Sequence, residues 1–296
     1  MRPVVVALGN FDGVHLGHQT VLAAALEGAR RLGGRVVAAT FWPHPRSVLG
    51  AGESPGLLTT IEDRREALSR YGADEVRTIP FDRALSRKSP EEFVEDVLVG
   101  ELGAHAVVVG ENFRFGYKAA GDFGDLQRLM RERGGDAHAV EVRDEGGEIS
   151  STRIRSLLLE GDASGAGKLL GRPYAVRGEV VAGDRRGRTI GFPTANVKQD
   201  PAVVVPARGV YACLVQIGEQ SRAACTNVGV APTFERGDDR IEAHLVDFEG
   251  DLYGRIVEVA FLERIRGERR FSGIGELKEQ IVRDVQEARR ITREAG

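Results

Sequence analysis

Cysteine is nearly absent from this sequence: Cys213 and Cys225 are the two among 296 residues. One pair cannot staple a chain of this length, and neither lies in a C-x-x-C or Cys/His spacing that suits zinc, so the expected compartment is a reducing cytoplasm. Long apolar runs are missing too. After Met1-Arg2-Pro3 only Val4 to Leu8 is apolar before Asp12, too short for a signal-peptide core, and no stretch approaches the roughly 18 residues of a membrane span. A soluble protein with no membrane partner is expected. Charge of one sign is not in excess, since 41 Lys and Arg oppose 44 Asp and Glu for a net charge of -3. Without a broad positive field, nucleic acid is not expected as a partner. With 42% hydrophobic and 29% charged residues, disorder is excluded. A length of 296 residues fits two domains of roughly 100 to 200 residues better than one.

The halves differ in rhythm. Up to about residue 160, β-branched runs alternate with helical patterns, which signals βαβ units on a parallel sheet. Val4 to Leu8, Val36 to Phe41, Val76 to Pro80, Ala106 to Val109 and Ala139 to Val142 read as strands. Val21, Leu22, Ala25, Leu26 and Ala29 keep helical spacing until Gly33-Gly34, and Ser89-Pro90 with Glu92 announces another helix by a capping box. The fold class expected here is a Rossmann-like parallel α/β domain, with ligands at the carboxyl ends of the strands. From Tyr174 to Leu262 short strand-like runs follow one another: Val176 to Val181, Val210 to Ile217, Ala223 to Val228, Ile241 to Phe248 and Ile256 to Phe261. They suggest a small antiparallel β-barrel. Leu277, Ile281, Val285, Ala288 and Ile291 form the apolar stripe of a terminal helix that would pack on it. The division is expected at Leu170, giving domains 1–170 and 171–296.

Two constellations carry chemistry. Gly9-Asn10-Phe11-Asp12-Gly13-Val14-His15-Leu16-Gly17-His18 follows the first strand and opens the first helix. A helix N-terminus offers unpaired N–H groups and partial positive charge, glycines allow close approach, and two imidazoles one turn apart suit a nucleotide triphosphate. A single such histidine would more often cap a helix or line a core. Val109-Gly110-Glu111-Asn112-Phe113-Arg114-Phe115-Gly116 ends the fourth strand, and Ile149-Ser150-Ser151-Thr152-Arg153-Ile154-Arg155 supplies hydroxyls and guanidinium groups suited to phosphate. In the second half, Gly183-Asp184-Arg185-Arg186-Gly187-Arg188-Thr189-Ile190-Gly191-Phe192-Pro193-Thr194-Ala195-Asn196 combines a glycine-rich, arginine-bearing loop with Thr194 and Asn196, two apart on an extended strand. Such oxygen ligands suit Mg²⁺. In Ile241-Glu242-Ala243-His244-Leu245 the alternation puts Glu242 and His244 opposite three apolar side chains. Gly165-Ala166-Gly167-Lys168 is no Walker loop, because Asp162 stands where the first glycine belongs and Leu169 where Ser or Thr belongs.

Taken in order, G-N-F-D-G-V-H-L-G-H, the segment Thr40-Phe41-Trp42-Pro43-His44-Pro45, G-E-N-F-R-F-G and I-S-S-T-R-I-R resemble the adenylyltransferase module of the bacterial bifunctional riboflavin kinase and FAD synthetase family. G-F-P-T-A-N, Asn227 to Phe234, Ile241 to Phe248 and Asp251-Leu252-Tyr253-Gly254 are similar to its riboflavin kinase module. The resemblance implies two reactions using ATP: phosphorylation of riboflavin to FMN, and adenylylation of FMN to FAD with release of pyrophosphate. It further implies His15 and His18 as catalytic groups stabilising charge on the α-phosphoryl group, and Glu242 as the base of the kinase. Gly9, Phe11, Asp12, Gly17, Asn112, Ser151, Thr152 and Arg155 would bind the adenylyltransferase substrates, with Phe115 stacking on the flavin. Gly183, Arg188, Gly191 and Pro193 would line the kinase site, where Thr194 and Asn196 hold Mg²⁺ and ATP and Arg266 helps to close over riboflavin. This chain departs from many members at Trp42, Glu148 and Arg208. Two other readings are a chain with one competent module and a flavin or nucleotide sensor without turnover; the joint presence of His15, His18 and Glu242 favours turnover at both ends.

Overall fold

Val4–Leu8 (β1) is buried along its whole length, as befits a central parallel strand covered on both faces. It pairs in parallel with Arg35–Trp42 (β2) on one side and Ala104–Gly110 (β4) on the other. Glu75–Pro80 (β3) and Asp136–Val140 (β5) extend the sheet to the order β3-β2-β1-β4-β5. The computed structural model describes residues 2–50, 56–144, 146–183, 187, 190–230 and 239–295.

Alternation along β1 feeds two cores. Val4, Val6 and Leu8 join Phe93, Val97, Leu126 and Met130 on one face, whereas Val5 and Ala7 join Val21, Leu22, Ala25 and Leu68 on the other. The second face is covered by Leu16–Leu32 (α1) and, further along the chain, Ile61–Arg70 (α3), which follows the short Pro45–Leu49 (α2). Covering the first face are Pro90–Glu92 (α4), its wider-turn continuation Phe93–Glu101, and Phe123–Arg131 (α5). The capping box at Ser89 is present in both directions: Ser89 Oγ accepts the Glu92 N–H at 3.1 Å and Glu92 Oε2 accepts the Ser89 N–H at 2.7 Å. The strand order reverses between β1 and β4, so the crevice beyond their carboxyl ends is the ligand position of an open α/β sheet. The fifth strand begins and ends earlier than its sequence suggests, at Asp136–Val140 instead of Ala139 to Val142.

After the small hairpin of Arg143–Asp144 (β6) and Gly147–Glu148 (β7) come Ser151–Glu160 (α6) and Ala163–Leu170 (α7). The Walker-like glycines therefore lie inside a helix, capped by Asp162, which accepts the Gly165 N–H at 2.7 Å. The barrel that follows is closed in the order β10-β11-β12-β9-β8-β13. Its members are Tyr174–Val181 (β8), Ala195–Gln199 (β9), Gly209–Ile217 (β10), Gln220–Val230 (β11), Asp239–Leu245 (β12) and Ile256–Arg266 (β13). Five of these were expected from strand-like runs; β9 is short and polar-flanked, and it is held by pairing with β12 and β8. Ile274–Glu294 (α8) packs Ala288, Ile291 and Val285 against Val210, Ala212 and Cys225 of β10 and β11. The chain divides into two compact units, Met1–Ser151 and Thr152–Gly296.

Candidate functional sites

At the head of α1 the loop is wound tightly. Phe11 and Val14 both hold positive φ, 51° and 41°, a conformation that costs a non-glycine residue about 1–3 kcal/mol and that a β-branched residue seldom adopts. Burial secures it: both side chains are fully enclosed, and the Phe11 ring stands edge-on to His18 with centroids 5.1 Å apart. His15 caps the helix, its Nδ1 accepting the His18 N–H at 3.3 Å. With Nδ1 turned to the helix, Nε2 is the ring nitrogen that faces away from the cap. The two imidazoles stack with centroids 3.6 Å apart. Where a Cβ on Gly17 would stand, Val142 Cγ1 lies only 1.8 Å away, so glycine is required here for packing against Val142.

Asp12 is the strut of this loop. It is 1% exposed, and its carboxylate accepts N–H groups of Leu58 at 3.0 Å and Thr59 at 3.1 Å together with Arg64 Nη2 at 3.1 Å. Arg64, fully buried on α3, also donates through Nη1 to the Asn10 carbonyl at 2.9 Å. Arg64 was not expected from the sequence, although Thr60 and Asp63 mark the start of its helix, Thr60 Oγ1 accepting the Asp63 N–H at 3.1 Å. Arg64→Met is expected to lower the stability of the first unit by about 3 kcal/mol, because it leaves the Asp12 charge buried without its counter-ion; a urea melt of the full chain measures this.

Burial, reinforced by the His15 ring and the Arg64 guanidinium, holds the His18 imidazole well below its ordinary value. An unfolded histidine takes up a proton near pH 6.5 that folded His18 refuses. Acidification below about pH 6.5 therefore favours unfolding, by up to about 1.4 kcal/mol per pH unit, until the folded ring itself titrates. Denaturation of the wild type and of His18→Asn between pH 7 and pH 5 is expected to show this slope only with the histidine present.

A cavity of about 800 Å³ opens by Gly9 and Asn10, within the roughly 300–1,000 Å³ of small-molecule sites. Phe41, Phe81 and Phe113 are among its aromatic walls, and Arg83, Arg87, Arg114 and Lys118 are its only charged lining residues among those described. Asn112, exposed, also lines it. Phe115 touches the cavity but is 6% exposed, stacked on Phe113 at 5.6 Å and packed on Phe93 at 5.7 Å. Phe115 also belongs to the buried core, while the half-buried Phe113 lines the same cavity. Ser151 Oγ donates to the Asp12 carbonyl at 2.9 Å, so its hydroxyl proton ties the two motifs of the unit together. Thr152, exposed, and Arg155, buried, are counted with the second unit.

In the barrel, β12 shows the expected alternation, with Ile241, Ala243 and Leu245 buried and Glu242 and His244 half-buried. Register places Glu242 beside Asn196 of β9 and Asn227 of β11. Glu242, Asn196, Thr194 and His244 line one cleft of about 410 Å³. His244 is oriented by the Pro193 carbonyl, 2.8 Å from Nδ1, and by the Phe192 ring. Gly191, with φ 93°, is exposed at the turn before this segment. Arg188 lies outside the described residues.

Arg266 also lines the cleft. Its Nε and Nη2 grip Asp284 of α8 at 3.0 and 2.7 Å, and Nη1 donates to the Gly267 carbonyl. That bidentate pair fastens β13 to the helix. Asp284 is 3% exposed and further held by Gln280 at 2.8 Å. An acid three residues after Ile281, on the apolar stripe of α8, was the signal in the sequence. His44, unassigned from the sequence, caps α2, accepting the Arg46 N–H at 3.2 Å.

A family model described as FAD synthetase matches residues 1–153, and one described as riboflavin kinase matches residues 170–292. Bifunctional riboflavin kinase/FMN adenylyltransferase from Bacillus subtilis (strain 168) is 39% identical over 96% of this chain and 91% of its own length. The protein of that name from Escherichia coli (strain K12) is likewise 39% identical, with the same coverage. A crystal structure named as a macrolide-efflux protein from Streptococcus pneumoniae is 35% identical, covers 97% of this chain and 94% of its own, and superposes with a TM-score of 0.90. Among the described residues of this chain no helix is long and apolar enough to cross a membrane. On these matches, which span both units in the same order, the chain belongs to the bifunctional riboflavin kinase/FMN adenylyltransferase family.

Proposed function

We propose that the barrel phosphorylates riboflavin and that the α/β unit adenylylates the resulting FMN, with the functional division near Leu170. The observation that carries the kinase assignment is the convergence of Glu242, Thr194 and Asn196 on one cleft. There the ribityl 5′-oxygen attacks the γ-phosphorus of ATP, its proton passes to Glu242, and ADP leaves. Thr194 and Asn196 offer neutral hard oxygens. Mg²⁺ characteristically takes few protein ligands beside nucleotide phosphates, which fits the Thr194 hydroxyl and the second lone pair of Asn196 Oδ1, whose first accepts from Arg240 Nε at 2.7 Å. Bound Mg²⁺ would neutralise phosphate charge.

In the first unit an FMN phosphate oxygen attacks the α-phosphorus of ATP and pyrophosphate departs. His15 and His18, at the positive end of α1, stabilise the charge that develops on the α-phosphoryl oxygens. The aromatic cavity ringed by Arg83, Arg87, Arg114 and Lys118 suits a flat ring carrying a phosphate, and Phe113 supplies its stacking face. Asp12, Phe11 and Gly17 act by holding the histidines in place. Partners are the small molecules ATP, riboflavin and FMN. A reducing cytoplasm agrees with Cys213 and Cys225 as free buried thiols, burial pushing both upward and Cys225 to about 12. Incubation with riboflavin, ATP and Mg²⁺ is expected to yield FMN, then FAD and pyrophosphate; FMN alone would leave the first unit as scaffold, and no turnover would favour a sensor.

A further inference from the structure

The kinase cleft contains a cation to which the reaction so far assigns no part. Arg240 precedes Glu242 by two residues on β12, and alternate residues of a strand share a face. Its Nε donates to Asn196 Oδ1 at 2.7 Å and lies 3.2 Å from Glu242 Oε1. The contact is built in from three strands: Asn196 of β9 is in register with Glu242 of β12 and with Val181 at the end of β8. Just beyond that end, a Cβ on Gly183 would lie 2.2 Å from Arg240 Nη2 and 2.3 Å from Asn196 Nδ2. Glycine at 183 thus lets the backbone close directly over the guanidinium and the carboxamide. With side chains 18% and 31% exposed, Arg240 and Glu242 are not the loosely solvated pair whose worth is small.

We propose that Arg240 is a positioning residue for riboflavin phosphorylation: it anchors Glu242 Oε1, so that Oε2 is the oxygen that accepts the ribityl proton. The inference rests on Glu242 being the base. Among the described residues no other partner holds the Glu242 carboxylate. A carboxylate on a short, partly exposed stem otherwise rotates among several orientations. Anchoring one oxygen removes that freedom before substrate arrives, and such preorganisation acts on the chemical step more than on binding. In the balanced step the hydroxyl oxygen forms its bond to the γ-phosphorus, the bond from that phosphorus to the ADP oxygen breaks, and the proton goes to Oε2.

Arg240→Met tests this in the full chain. The expected result is a kcat for riboflavin phosphorylation lower by about 10- to 100-fold, with the KM for riboflavin within about two-fold and FMN adenylylation at the parent rate. Arg240→Lys, which returns a cation to the carboxylate, is expected to recover part of kcat, and it carries the test if the Met variant folds poorly. In single-turnover assays Arg240→Met is expected to add nothing to Glu242→Gln, because Arg240 acts through that carboxylate. An unchanged kcat, a Lys variant no faster than Met, or a further multiplicative loss in the Gln background would overturn the proposal. A Glu242→Gln enzyme as fast as the parent would strike the base assignment itself, whereas an impaired Glu242→Gln beside a normal Arg240→Met would strike only Arg240.

Discussion

Glu242→Gln is expected to slow riboflavin phosphorylation by about 10²- to 10⁴-fold while FMN adenylylation continues at the parent rate. The substitution keeps the shape of the side chain, so the cleft is conserved around a group that no longer takes a proton. Glu242 lies on the polar face of a strand whose other face is buried in the barrel, which confines the loss to the chemistry in that cleft. The two reactions are separated by following FMN formation from riboflavin and FAD formation from added FMN. Phosphorylation at the parent rate would refute Glu242 as the base.

His18→Ala is expected to produce the opposite pattern, with FAD formation from FMN reduced by about 10²- to 10³-fold and riboflavin phosphorylation unchanged. The truncation removes a stacked imidazole whose neighbours are the His15 and Phe11 rings. Because the His15 cap accepts the backbone N–H of residue 18, that hydrogen bond survives the change, and the start of α1 is expected to persist. A pre-steady-state measurement of pyrophosphate release locates the loss in the chemical step. A higher KM for ATP with an unaltered kcat would instead show His18 to be a binding residue only.

Much of this architecture is legible in the local sequence. The Ser89 box, the burial of Val4 to Leu8, the alternation around Glu242 and the stripe of α8 follow from local periodicity and capping chemistry, which depend on neighbours in sequence. Strand β9 was harder, because a short segment containing Asn196, Lys198 and Gln199 becomes a strand through its partners β8 and β12. Phe115 was named from the sequence for its flat ring, and only the fold shows that this ring also packs on Phe93 and Phe113.

Residue chemistry and order along the chain thus nominated the groups proposed to act: the paired histidines after a first strand, the Thr194 and Asn196 oxygens, and the carboxylate on an amphipathic strand. Tertiary structure decided what holds those groups in place. Arg64 reaches Asp12 from 52 positions away, Asp284 fastens Arg266 across 18, and Arg240 bridges to Asn196 across 44. A motif records the atoms that meet a ligand, which must be of one chemical kind. The struts behind it can come from any element that the fold brings within about 3 Å, and sequence separation carries no trace of that approach.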